Sequence, residues 1–182
     1  MTRAGLIATW TILTTLLLSC SNQPAYEPTY KIHIFMQSPE LSNMRDGYDQ
    51  SLNEIDLADS TFVINDSDIE SYDWSDQTIT LTETISSQLE TTIGGDPSYH
   101  LDQSAFVVTL DGKRLYGGLF LKIGSARGTD YPVIYVESFE REKVIFQVQP
   151  CHPSWRICES RLKEIEVIDI YNLFNKQGKL VQ

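Results

Sequence analysis

Ala105-Phe-Val-Val-Thr-Leu-Asp-Gly-Lys-Arg-Leu-Tyr-Gly-Gly-Leu-Phe120 decides how this chain folds. Two apolar-rich runs flank Asp111-Gly112. An Asp-Gly loop of two residues is a type I′ hairpin turn, because both of its positions need positive φ. That loop opposes Val108 to Leu115 and Phe106 to Gly117. Gly117-Gly118 has no side chains to pack, so it predicts a bulge or the close approach of another backbone.

Outward from the hairpin, other strands show by alternation. Tyr30-Lys-Ile-His-Ile-Phe35 puts Tyr30, Ile32 and Ile34 on one face, and Thr61 to Ile64 is a strand ending at Asn65-Asp66-Ser67-Asp68. Thr78-Ile-Thr-Leu-Thr82 turns Ile79 and Leu81 inward. A helix over Glu83–Glu90 follows, capped by Thr82 and stopped by Gly94-Gly95. Two further strands read as Pro132–Glu137 and Lys143–Val148. A final helix over Ser160–Lys176 carries Leu162, Ile165, Val167, Ile168, Tyr171 and Phe174 as its apolar stripe, with Gly178 as the stop. Gln37–Ser60 lacks clear periodicity and reads as a long loop. Strands with few helices and no βαβ rhythm predict one α+β domain over residues 31–182. Its sheet is expected to be single and small, antiparallel or mixed, with the C-terminal amphipathic helix packed on one face.

The N-terminus gives an address. Met1-Thr2-Arg3 holds the only charge before the apolar run Ala4–Leu18, and this run is short and diluted by four threonines. A basic start, a short apolar core and small residues at a cut site describe a signal peptide over residues 1–19. Leu17-Leu-Ser-Cys20 resembles a bacterial lipobox, which implies cleavage before Cys20 and acylation of its thiol and freed amine. Two or three acyl chains hold a protein durably, at roughly 0.8 kcal/mol per buried methylene. The resemblance implies a cell-envelope lipoprotein on the cell membrane or outer membrane, facing the periplasm or exterior. Ser21, where Asp would favour inner-membrane retention, leans toward the outer membrane. Residues 20–30 read as the lipidated cysteine and a polar, proline-bearing tether.

The full chain of 182 residues carries a net charge of −11. From Cys20 to Ser104 there are 16 acidic and 2 basic residues, against 9 and 11 from Ala105 to Gln182. The acidic half is repelled by phosphate, which argues against nucleic acid and leaves acyl chains as the membrane attachment.

Cys151 and Cys158 frame Cys-His-Pro-Ser-Trp-Arg-Ile-Cys. Beyond the cytoplasmic membrane the default for such a pair is a disulfide, stabilising by roughly 2.5 kcal/mol in the chain-entropy model. A metal site would need a fourth ligand besides both thiolates and His152, and a redox pair would favour a Cys-x-x-Cys spacing, which is absent. Asp66 to Gln77 places Asp66, Asp68 and Glu70 at positions 1, 3 and 5 of a calcium-loop frame. Ser71 then replaces the turn glycine and Gln77 the bidentate glutamate, which leaves a weak calcium candidate beside a solvated turn. His33, His100 and His152 share no ligand spacing. Trp74, Trp155, Tyr72, Tyr116, Tyr131 and Tyr135 could line a groove, though aromatics more often fill a core. No catalytic motif occurs and no cofactor is implied.

Residues 61–120 carry Asp68-Ile-Glu-Ser-Tyr-Asp-Trp74, Thr78-Ile-Thr-Leu-Thr82 and the Asp111-Gly112 hairpin. This stretch resembles uncharacterised bacterial lipoproteins and, more loosely, the first periplasmic domain of the SecD export subunit. It implies no catalytic or binding residue. The expected function is a non-enzymatic binding or accessory module. Its partner would be an envelope protein or glycan, met by the acidic half or by the exposed edge of the hairpin sheet. An envelope hydrolase is the alternative.

Overall fold

The computed structural model describes residues 28–36, 55–126, 128–129, 131–137, 142–152, 158 and 165–181. The expected signal peptide, Cys20 and most of the long loop lie outside them, as does Trp155. Among the described residues nine strands form one mixed sheet: β1 (Tyr30–Phe35), β2 (Phe62–Asn65), β3 (Ile69–Asp73), β4 (Thr78–Leu81), β5 (Ala105–Leu110), β6 (Lys113–Leu121), β7 (Val133–Glu137), β8 (Ile145–Gln149) and β9 (Leu180–Val181). Their spatial order is β2-β1-β5-β6-β7-β8-β4-β3-β9. The pairs β6–β7 and β3–β9 are parallel, and the remaining neighbours are antiparallel. The helices among the described residues are α1 (Glu83–Ile93), α2 (Pro97–His100) and α3 (Ile168–Lys176). The single mixed sheet is as expected, but it is large rather than small.

The sheet must curl. β2 stands first in the order and β3 eighth, which on a flat sheet would separate them by roughly 34 Å at about 4.8 Å per strand. Yet only the 3-10 turn Asp66–Asp68 joins them, and Asn65 to Ile69 can span at most about 14 Å. The two edges therefore come together, and they are tied where they meet. Gln177 Nε2 donates to Asp66 Oδ2, and Lys179 Nζ donates to the Asp66 carbonyl. Both donors lie just ahead of β9.

The hollow of the curl is a core of aromatics. Phe106, Phe120 and Phe146 on β5, β6 and β8 meet edge to face at 5.5 and 5.4 Å. Phe174 of α3 touches Tyr30 of β1 at 5.3 Å and Tyr72 of β3 at 5.2 Å. One helical ring thus bridges strands that six lateral steps separate. Helix α1 adds Ile85, Leu89 and Ile93 to the same core. It begins and ends as its sequence dictates: Thr82 Oγ1 accepts from the Ile85 amide, and Gly94 closes it at φ 81°.

The hairpin has its I′ turn, with φ 54° at Asp111 and 73° at Gly112. Its register differs from the expected one. Val108 faces Tyr116 and Phe106 faces Gly118, because a bulge falls at Leu115 rather than at the glycine pair. The extra residue lets both Leu115 and Tyr116 lean on the core. Gly118 instead serves the close approach: a Cβ there would stand 1.8 Å from the Pro132 carbonyl oxygen and 2.8 Å from the Phe106 ring.

Helix α3 is shorter than expected. It starts after Val167, so its inward face is Ile170, Leu173 and Phe174, while Ile168 is 63% exposed. Residues 159–164 lie outside the described set, and Ile165 reaches the core separately from α3. The hairpin also offers no edge. β5 is paired to β1 and β6 to β7, and among the described residues the edge strands are β2 and β9. Both hairpin strands spend their hydrogen bonds inside the sheet, so an edge of the hairpin sheet belongs to β2 or β9 and not to β5 or β6.

Candidate functional site

Two ends of the molecule are distinguished by the course of β1 and β6. The chain enters the body at the hairpin turn: Thr29 N donates to Asp111 Oδ1 at 2.9 Å, and Asp111 N donates to the Thr29 carbonyl at 2.8 Å. The nine residues of β6, at about 3.3 Å each, carry the sheet roughly 30 Å from that turn. At the far end Met36, Tyr99, His100 and Asp102 line an open depression of about 380 Å³. Short local rules build it. Asp96 caps α2 by accepting from the Ser98 amide, with Pro97 in the first turn. Asp102 then accepts from the Lys122 amide at 3.0 Å and pins the turn that follows β6.

That turn presents side chains outward. Lys122 Nζ lies 5.9 Å from the centre of the Tyr99 ring, within cation–π range. Tyr99 is 59% exposed and Ile123 66%. On the other side of the turn, the Ser125 carbonyl accepts from His152 Nε2 at 2.9 Å. With Nε2 donating, Nδ1 is left as the acceptor, and the Tyr135 hydroxyl donates to it. Burial pushes the Tyr135 phenol up and keeps it protonated as that donor. Both nitrogens of His152 are committed, so the pair holds the turn to β7 and to the segment after β8. His152 follows Cys151, whose sulfur is at disulfide distance from that of Cys158, with a Cα separation of 6.2 Å.

The three carboxylates of the calcium frame each have another partner. Asp68 Oδ2 accepts from Asn65 N and Nδ2 at 2.8 and 2.9 Å, Glu70 pairs with Lys143 at 2.7 Å, and Asp66 receives Gln177. Among the described residues no three potential ligands gather to hold a metal ion. Gln77, at the frame's last position, turns inward at φ 53°. Its Oε1 accepts from the Tyr72 hydroxyl, and its Nε2 donates to the Trp74 carbonyl. Nothing in the spacing of Asp66–Gln77 announces this inward role.

Tyr72 belongs to a buried set with Tyr30 and Tyr116. Burial raises all three phenols, and each neighbouring hydroxyl raises Tyr30 further. The Tyr116 hydroxyl is coupled to that of Tyr30 but completes no well-formed hydrogen bond. Trp155 lies outside the described residues, and the other five aromatics weighed as a groove do not gather into one. Tyr72 and Tyr116 are core, Trp74 packs between Tyr72 and Tyr171, and Tyr131 and Tyr135 lie on the outer face of the sheet. Tyr99, the exposed aromatic that sequence reasoning passed over, sits in a four-residue helix too short to show periodicity.

Among the described residues no helix is long and apolar enough to cross a membrane. No family model matches the chain, and no curated protein or solved structure matches it significantly.

Proposed function

We propose that this chain is a cell-envelope lipoprotein, held by lipid on Cys20, whose body is a non-enzymatic binding module. The observation that carries the reading is polarity. The chain enters at the Asp111 turn, and the exposed Tyr99 and Ile123 with Lys122 stand at the opposite end of β6. A body hung from its N-terminus would present that end away from the membrane, toward an envelope protein or glycan. An exposed aromatic beside an aliphatic side chain and a cation suits such contacts. The Cys151–Cys158 pair, oxidised in that compartment, would brace the same end through His152.

Photo-crosslinking in intact cells tests both halves. A photoreactive residue at Tyr99 or Ile123 should trap one partner, and the same residue at Asp111 should not. Cys20→Ser should abolish acyl labelling and release the protein from membranes. Equal trapping at Asp111 would refute the binding end, and unchanged labelling of the serine variant would refute the anchor. Turnover of an envelope substrate that is lost with His152→Ala would favour a hydrolase instead.

A further inference from the structure

A different device lies on the outer face of β1, and it does not depend on how the chain is anchored. Lys31, His33 and Phe35 alternate outward there, opposite the inward Tyr30, Ile32 and Ile34. His33 is 8% exposed, beside Val63 of β2 and Val107 of β5. Its Nε2 lies 3.4 Å from Thr109 Oγ1, and among the described residues its Nδ1 completes no well-aligned hydrogen bond. Buried imidazoles ordinarily satisfy both nitrogens, so an incomplete one calls for an explanation.

The short 3-10 turn Leu57–Asp59 brings the Leu57 backbone up to this ring. Asp56 Oδ1 accepts from the Ala58 amide at 2.9 Å, and Arg114 donates to the Ile55 carbonyl. Ile55 and Leu57 pack on the outer-face cluster of Phe35, Ala105, Val107 and Leu119. The turn thus seals an apolar patch, and His33 sits beside it.

We propose that His33 is a proton-operated latch. Neutral, it lets the Ile55–Ser60 turn seat on the outer face; protonated, it lifts the turn and uncovers Phe35, Val107 and Leu119. The geometry supplies the force. A protonated ring would place a charge in a site only 8% exposed, and that charge would join those of Lys31 on β1 and Arg114 on β6. Burial, then Lys31, then Arg114 hold the imidazole below its ordinary range, while the Leu57 backbone works the other way. Among the described residues, the neighbours of the ring on β2 and β5 are Val63, Val107 and Thr109, none of which titrates. The covering turn brings Asp56 and Asp59, both exposed. To reach water the charged ring must displace Leu57. Its repulsion of Arg114 weakens the grip on the Ile55 carbonyl at the same time.

Hydrogen exchange on the full chain in detergent micelles tests the latch. Between about pH 7.5 and about pH 5, a window spanning the ordinary imidazole range, protection of the Ala58, Asp59 and Ser60 amides should fall several-fold after correction for intrinsic exchange. In His33→Leu it should stay flat, and in Asp56→Asn the pH dependence should persist. Equal protection at both pH values, or a loss in His33→Leu matching the parent chain, overturns the proposal. Should His33→Leu fail to fold, NMR titration of the parent chain decides the matter. The midpoint of the His33 ring signal must coincide with that of turn release, and separate midpoints overturn the latch.

Discussion

Replacing Gly118 by Ala is the sharpest test of how the sheet is assembled. The new methyl carbon would stand 1.8 Å from the Pro132 oxygen, 2.7 Å from its carbonyl carbon and 2.8 Å from Phe106 Cε1. Relief by a side-chain rotation is closed off, since the first two atoms are backbone. That carbonyl is also fixed, because it accepts from the Leu119 amide at 3.2 Å where β6 and β7 run parallel. Overpacking in a rigid core costs typically 1–3 kcal/mol, and a backbone clash belongs at or above the upper end. We expect a loss of about 3 kcal/mol or more, a shift of over a hundredfold in the folding equilibrium. Gly112→Ala is the control. Nothing lies within 4 Å of its added carbon, yet its φ of 73° is left-handed, so it should lose only about 1–2 kcal/mol. Urea unfolding of both variants, followed by tryptophan fluorescence and circular dichroism, gives the comparison. A Gly118→Ala chain within about 0.5 kcal/mol of the parent would refute the close approach and with it the β6–β7 crossing.

Phe174→Ala should cost about 3–5 kcal/mol in the same assay, since it removes the ring that joins Tyr30 to Tyr72 across the curl. A loss below about 1 kcal/mol would mean that the curl closes without it. Alkaline unfolding tests the buried phenols. Their folded pKa values are raised above 10.0, so their contribution is complete below pH 10 and is lost as pH rises. With three groups the slope should approach roughly 4 kcal/mol per pH unit, and Tyr116→Phe should remove about a third of it. Reduction of Cys151–Cys158 should lower stability by about 2.5 kcal/mol, and His152→Ala after reduction should further loosen the Ser125 turn in hydrogen exchange.

Much of the local structure was legible because local rules write it. The I′ turn at Asp111-Gly112, the Thr82 cap, the Gly94 stop and the alternation of Tyr30–Phe35 all appear where the residues put them. The Leu115 bulge was not legible, because two glycines two and three residues on look like the weaker point. The inward face of α3 depends on where the helix starts, and Phe174 sets that seat by packing against two distant strands. β3 and β9 were hidden for a similar reason: a polar five-residue strand and a two-residue one carry too little periodicity to announce themselves.

Asp66, Asp68, Glu70 and Gln77 make the division clear. The sequence by itself determined that this was a polar turn with carboxylates at alternate positions. Tertiary structure alone decided their work. Asp66 ties the two edges of the sheet, Asp68 caps, Glu70 meets Lys143, and Gln77 supplies the acceptor that buried Tyr72 needs. Spacing fixes which side chains are neighbours along the chain. Their partners lie 73 and 111 residues away for Glu70 and Asp66, and only the curl of the sheet brings such distances within hydrogen-bond reach.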